Sequence, residues 1–418
     1  MILDSELLDK IIDAYNLTDC LNLANLTFSS IDPDAFKNCR SKQIRTINWQ
    51  SREITGDDNI ITSNHLALFE PLKDHLVELN LSYTRFKCSF NFIGELKFLQ
   101  KLNLKCCKFE SKPIFKGANN QLTHLDMINS QLNIDDETMF DDLKCLKYLV
   151  LTRVKIIASL SILFKNLQQL ETLKLSVKYA KPLTKMNGDS FIHLTNLREL
   201  HLGYFQFDDT CSTLFSSMRH LQKLSFEYST LDRQTYDSAS NLRELRLSSV
   251  SDITIDKSFF DKHPHLESLD ISLLEEAYFE NRSKFGKYDI EEEAFTNLKS
   301  LKTLIVSSTN YVSINEKMLN RLENLQCLEI YSAVEEKALK VELKATSFQS
   351  IKQLKKLDIR HCDIKVDSRC FQHLTNLTEL RLFDVIKFSN KDFDIWNSLK
   401  HLESLELSRE GLKNPAQL

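Results

Sequence analysis

The sequence predicts an α/β solenoid of about 16 stacked units, with a parallel sheet on its concave side and irregular or helical backbone on its convex side. Two observations carry that reading. First, the phrase Leu-x-x-Leu-x-Leu begins at Leu76, Leu99, Leu122, Leu146, Leu170, Leu197, Leu221, Leu242, Leu266, Leu301, Leu325, Leu354, Leu377 and Leu402, with weaker copies from Ile44 and Thr18. Second, an aromatic position recurs six residues before each new phrase: Phe140, Phe164, Phe191, Phe215, Tyr236, Phe260, Phe295, Phe348, Phe371 and Trp396, with Leu319 as its one aliphatic member. Two independent columns in one register, repeating at about 24 residues, mark stacked units rather than one globular core.

Each phrase is read as a short strand, because leucines two apart fall on one face of extended chain. Three residues after each aromatic comes a further apolar position (Leu143, Leu167, Leu194, Met218, Leu298, Leu322, Ile351, Leu374, Leu399), with Ala239 and His263 as its weak members. The aromatics are expected to stack behind the strands on the convex side. One such unit cannot bury its apolar face alone, whereas neighbours can bury it together.

These columns resemble the leucine-rich-repeat superfamily, in particular its Phe-containing class of about 24-residue units found in Toll-like receptors. The resemblance covers residues 18–411 and implies a horseshoe with a ligand-facing concave sheet. The family usually carries Asn three residues past the last strand leucine. Here that column reads Thr84, Cys107, Ser130, Val154, Lys178, Phe205, Ser229, Val250, Leu274, Thr309, Ala333, Cys362 and Val385. Ser, Thr and Cys donate one bond each and the apolar members none, so looser turns are expected.

Residues 1–17 are expected to form a capping helix and 18–418 the solenoid, its last unit incomplete. Asp4 or Ser5 caps the helix, and Leu8, Ile11, Ile12 and Tyr15 share its apolar face. The same stretch resembles the opening of an F-box (Leu3-Asp4-Ser5-Glu6-Leu7-Leu8, Ile11-Ile12, Leu17-Thr18-Asp19, Leu23-Ala24). That resemblance implies a substrate receptor of a ubiquitin ligase, with Leu7, Leu8, Ile11 and Ile12 facing the adaptor. It competes with the repeat reading of Leu21 to Phe36. At the other end, the strand from Leu402 to Leu407 is followed only by a short tail.

Composition is balanced, with 27% charged residues and a formal net charge of −4. This gives no electrostatic reason to expect nucleic acid. No run of 18 apolar residues provides a membrane span. Ten cysteines without CxxC spacing or terminal clusters favour a reducing, cytoplasmic setting. Five Asn-x-Ser/Thr tripeptides, at Asn16, Asn25, Asn80, Asn281 and Asn376, stand on the other side. An extracellular receptor or adhesion fragment would need a signal peptide upstream of Met1.

The middle strand positions vary in charge from repeat to repeat, from Asn80 through Arg246 and Glu329 to Arg381. Such a face suits a protein partner rather than a ligand of uniform charge. Aromatics just beyond the strands (Tyr83, Tyr204, Tyr228, Tyr331 and Phe383) with Arg246 and Arg381 nearby are the expected contact anchors. The units from Leu266 and Leu325 carry insertions between strand and aromatic column. The first contains Tyr278, Phe279 and Arg282; the second runs from Val334 to Glu342. Both are expected to protrude, and a third candidate is Gly56-Asp57-Asp58-Asn59. No phosphate-binding Gly loop, HExxH, GxSxG or CxxC occurs. No metal or cofactor is expected, and the chain reads as a non-enzymatic recognition scaffold.

Overall fold

A computed structural model describes residues 2–407, apart from 15–18, 25, 27–29, 33, 39–43, 51–59, 89, 112, 114, 116, 118–120, 131, 179–182, 251–252, 273–287, 309–316, 333–338, 368, 384–385 and 389–395. The chain forms two compact units, one of residues 1–204 with 213–220, the other of 205–212 with 221–418. Each is built around its own run of parallel strands.

In the first unit the strands Cys20–Asn22, Thr46–Asn48, Glu78–Asn80, Lys101–Asn103, His124–Met127, Tyr148–Ile156, Thr172–Val177 and Glu199–Gly203 pair in sequence order, all parallel. In the second, Lys223–Glu227, Glu244–Ser248, Ser268–Ile271, Thr303–Ser308, Cys327–Ser332, Lys356–Arg360, Glu379–Leu382 and Ser404–Leu407 do the same. The register is in phase: Leu79 faces Leu102, Leu173 faces Leu200, Leu328 faces Leu357 and Leu357 faces Leu380. The inward leucines, such as Leu149, Leu200, Leu245 and Leu380, are buried. Their alternate neighbours form the open face of the sheet, as the period of two requires.

From Phe140 to Phe371 the aromatic column lies buried as expected, with Trp396 half-buried at its end, and its rings stack on the next repeat's: Phe164 on Phe191 at 6.3 Å, Phe260 on Phe295 at 6.1 Å, Phe348 on Phe371 at 6.2 Å. The column also runs further toward the N-terminus. Phe69, Phe92 and Phe115 stand seven residues before Leu76, Leu99 and Leu122, and they too are buried. Phe69 stacks on Phe92 at 4.9 Å and Phe115 on Phe140 at 5.9 Å. A one-residue offset hid them from a six-residue rule.

The turn after the strand recurs with one conformation. The residue two past the last inward strand position has positive φ: Tyr83 (63°), Cys106 (54°), Asn129 (55°), Arg153 (58°) and Tyr204 (65°) in the first unit, Tyr228 (44°), Ser249 (50°) and His361 (56°) in the second. None is glycine, and each costs about 1–2 kcal/mol of backbone strain. The next residue, in the column where Asn is missing, sits in the core and serves the backbone. Ser130 Oγ donates to the Leu104 carbonyl at 2.6 Å and accepts the Cys107 N–H at 3.3 Å. Cys107 Sγ donates to the Leu81 carbonyl at 3.1 Å, and Ser229 Oγ accepts the Phe205 N–H at 3.1 Å. At these positions a hydroxyl or thiol reaches the neighbouring turn, which the apolar members of the column cannot do. Gly203 serves a different need: a Cβ there would lie 2.7 Å from Ser176 Cβ on the paired strand.

At the N-terminus a helix spans Ser5–Ala14, with Asp4 Oδ1 accepting the Leu7 N–H at 2.8 Å. Leu8 and Ile12 are buried, and the helix packs on the short helix Ala35–Asn38. Tyr15 lies outside the described residues. Cys20–Asn22 is a strand paired to Thr46–Asn48, with Leu21 and Leu23 in the core. The stretch that an F-box would use for a third helix is here part of a repeat, and Leu8 and Ile12 pack inward.

Only the ends of the two insertions are described. Residues 273–287 of the first, including Tyr278, Phe279 and Arg282, lie outside the described residues. Its last residue, Tyr288, is buried; its hydroxyl donates to the Leu247 carbonyl at 2.7 Å and accepts the Val250 N–H at 3.0 Å. In the second, Leu339–Leu343 is not a protruding loop. It pairs with Cys362–Val366, which pairs with Ile386–Phe388, in a three-stranded ladder that buries Val341 and Leu343. Residues 56–59 are likewise outside the description. In the last strand Leu405 is 42% exposed.

Candidate functional site

The open sheet face of the second unit gathers Tyr331, Arg360, Phe383, Arg381, Glu329 and Asp358. Register explains their convergence. Glu329, Asp358, Arg381 and Glu406 are mutual partners across four adjacent strands. One residue further along, Tyr331 is opposite Arg360, and the Phe383 N–H donates to the Ile359 carbonyl at 2.9 Å, continuing that row. Each of these side chains is one residue from an inward Leu or Ile, so each lies on the open side of the sheet, where Asp358 alone is fully covered by its neighbours.

Charges of opposite sign alternate across this face. Lys356 Nζ donates to Glu329 Oε1 at 2.7 Å. Arg360 Nε is 2.9 Å from Asp358 Oδ1 and its guanidinium 5.8 Å from the Tyr331 ring centroid. Arg381 Nε is 3.0 Å from Glu379 and 3.3 Å from Glu406. Exposed ion pairs of this kind add little stability, so their chief consequence is to fix long side chains in place. Asp358 is 0% exposed, and burial holds its carboxyl above the usual range, Arg360 opposing that shift. Burial also pushes the Tyr331 phenol up. On the same sheet, Arg246 is exposed and ion-paired to Asp270 at 3.2 Å.

Two expected anchors are not on the surface. Tyr204, in the first unit, is 7% exposed and Tyr228, in the second, 0%. Both stand two residues past an inward strand position, on the core side of the alternation, and in the left-handed turn. Tyr331 and Phe383 stand one residue past it and remain half-buried on the open side. Parity within the strand separates the two pairs.

The first unit's face is polar in a different manner. Its middle positions form an amide ladder: Asn48 Nδ2 donates to Asn22 Oδ1 at 3.1 Å and Asn80 Nδ2 to Asn48 Oδ1 at 2.9 Å. The same side chains cap the turns that follow. Asn22, Asn80, Asn103 and Asp126 accept the N–H two residues on, at 3.0–3.1 Å. Asx side chains close such turns readily. The missing Asn column is thus answered four residues earlier in the repeat, a signal present in the sequence but placed on the strand. A cavity of about 340 Å³ lies over this face.

Among the described residues no helix is long and apolar enough to cross a membrane. No group of three or more His, Cys, Asp or Glu among them is placed to hold a metal ion. The nine described cysteines are all free, and burial pushes the Cys107 thiol up to about 12.

Comparison with known proteins agrees with the repeat. Among solved structures, a leucine-rich-repeat protein of Leptospira interrogans is similar with a TM-score of 0.65 and 19% identity, over 97% of this chain and 94% of that one. TLR13 in complex with ssRNA13 is similar with a TM-score of 0.60 and 21% identity over 94% of this chain. The match spans 61% of the TLR13 chain. An internalin (inlF) from Listeria monocytogenes gives a TM-score of 0.56 and 19% identity, over 80% of this chain and 88% of its own. Identities at this level establish the fold. No curated protein sequence matches the chain. The profile of the BspA-type leucine-rich-repeat region, in 6 copies, matches residues 161–286 and 273–400. With more than half its length matched by that profile, and with the repeat's strands, turns and aromatic column in register, the chain belongs to the BspA-type leucine-rich-repeat family.

Proposed function

We propose that the chain is a non-enzymatic recognition scaffold that binds a protein partner on the open sheet face of its second unit. The observation that carries this reading is the row Tyr331, Arg360, Phe383, an aromatic, a guanidinium and an aromatic on three successive strands. Aromatic side chains and Arg supply most of the energy at protein interfaces, and here the Arg is held by Asp358 and Glu329 before any partner arrives. Preorganisation of this kind lowers the entropy lost on binding.

TLR13 is held in its structure with ssRNA13. A nucleic-acid partner for this chain would call for unpaired cationic groups along the face. Lys356, Arg360 and Arg381 are each committed to carboxylates. That pairing favours a protein, whose own mixed charges can match an alternating surface.

The test is differential capture. Full-length chain and the Tyr331→Ala, Phe383→Ala double variant are used as baits in parallel, with Lys317→Ala, an exposed pair to Glu292, as control. The reading expects one protein retained by wild type and Lys317→Ala and lost at least tenfold by the double variant. An unchanged protein set across all three baits contradicts it.

A further inference from the structure

The cavity on the first unit's sheet face has no part in the binding reading above and stands apart from it. Its floor is the strands Thr46–Asn48, Glu78–Asn80 and Lys101–Asn103, with Asn48, Asn80 and Asn103 in line across them. His124 and Tyr148 border it, their rings stacked at 5.6 Å with 26° between planes. At about 340 Å³ it falls at the small end of pockets that take small molecules.

Its chemistry is selective. Lys101 Nζ donates to Glu78 Oε1 at 2.6 Å, so the cation on the rim is already neutralised. His124 is held toward its neutral form, first by burial and then by Lys101. An anion such as phosphate therefore finds no free positive charge. The amides offer donors and acceptors side by side. Asn103 Oδ1 accepts from Ser82 Oγ at 2.8 Å and from the Lys105 N–H, while its Nδ2 makes no hydrogen bond among the described residues. The single Ser82 hydroxyl hydrogen is shared with Asn80 Oδ1, 2.6 Å from Ser82 Oγ. These contacts fix the amide planes before a ligand arrives. The backbone of the floor is consumed by parallel pairing on both sides, so a peptide strand cannot extend the sheet there.

We infer that this cavity is a binding site for a neutral carbohydrate. A hydroxyl both donates and accepts, as each amide does, and the apolar face of a sugar ring can rest on the His124–Tyr148 ring pair. A polyol ring meets all three features of the site: fixed amides, an aromatic border, and a carboxylate, Asp126, that can accept from hydroxyls with no unpaired cation on the rim to attract an anion.

The test uses the full chain and saturation-transfer difference NMR with maltopentaose, cellopentaose and chitotetraose as neutral probes, tetragalacturonate as acidic control and pentaglycine as peptide control. Two variants are measured beside wild type. Asn103→Asp keeps the oxygen that closes the turn and removes the free Nδ2 donor, and Tyr148→Ala removes one ring of the border. Thermal melting checks that each remains folded. The site predicts saturation transfer to at least one neutral probe, reduced at least fivefold by Asn103→Asp, with neither control giving a signal. It is overturned if no neutral probe binds, if tetragalacturonate or pentaglycine binds in preference, or if both folded variants bind the sugar as wild type does.

Discussion

Arg360 and Asp358 stand on the same strand, two residues apart, and their side chains meet at 2.9 Å from Nε to Oδ1 although the carboxylate has no exposed surface. The pair fixes the guanidinium beside Tyr331, where it contributes to the row on which the binding reading rests.

Asp358 is held by position, not by stability. Its folded carboxyl titrates above its unfolded value because of burial. Its favourable contribution is therefore fully present below the unfolded value of 3.8 and lost as pH rises through the folded one, leaving ionisation a net cost at neutral pH. Asp358→Asn removes that cost, and Arg360 keeps Glu329 at 3.7 Å. The variant should melt no lower than wild type at pH 7, the difference closing toward pH 3.5, while partner capture falls. A melting temperature many degrees lower at pH 7 would show that the ion pair is structural.

His263 occupies a column of otherwise apolar residues, and its side chain is fully buried beside Asp237 at 3.8 Å, with its ring stacked on Tyr236 at 5.3 Å. Burial lowers its pKa to about 4. The unfolded histidine binds its proton near 6.5, so stability is full above that pH and declines as pH falls from 6.5 to about 4. The full span corresponds to about 3 kcal/mol. His263→Leu should flatten the denaturation midpoint against pH across that window and raise it at pH 5. An unchanged profile would place the acid sensitivity elsewhere.

Ser130 replaces the missing Asn by bonding two backbone groups of the preceding turn. Ser130→Ala removes its bonds to the Leu104 carbonyl and the Cys107 N–H, which keep each other at 3.3 Å, a loss of about 0.5–1.5 kcal/mol. Amide exchange at Cys107 should quicken while that of Leu200 is unchanged. Equal protection at Cys107 would mean that the column has no structural role.

Legibility followed the physics of each feature. The strands and the aromatic column depend on apolar burial with fixed periods, and both are written in the sequence at those periods. Phe69, Phe92 and Phe115 escaped because a turn can absorb one residue without moving the ring out of the core. Tyr331 and Phe383 were correctly placed near the strand ends, but grouping them with Tyr204 and Tyr228 ignored that adjacent positions face opposite sides. The amide ladder from Asn22 to Asn80 is written in the sequence only as scattered polar residues, since its meaning depends on register between strands. Asp358 gave no sign of its burial, which arises from long side chains of neighbouring strands closing over it.

The most direct measurement of the central claim is site-directed photocrosslinking, with a photoreactive phenylalanine analogue placed at position 383 on the second unit's sheet face or at exposed Ile192 in the first unit. The probe at 383 should trap one discrete protein species, Tyr331→Ala in the same chain should reduce the trapped product at least tenfold, and the probe at 192 should trap none. An equal product from both positions, or one from 383 that is indifferent to Tyr331, would contradict that claim.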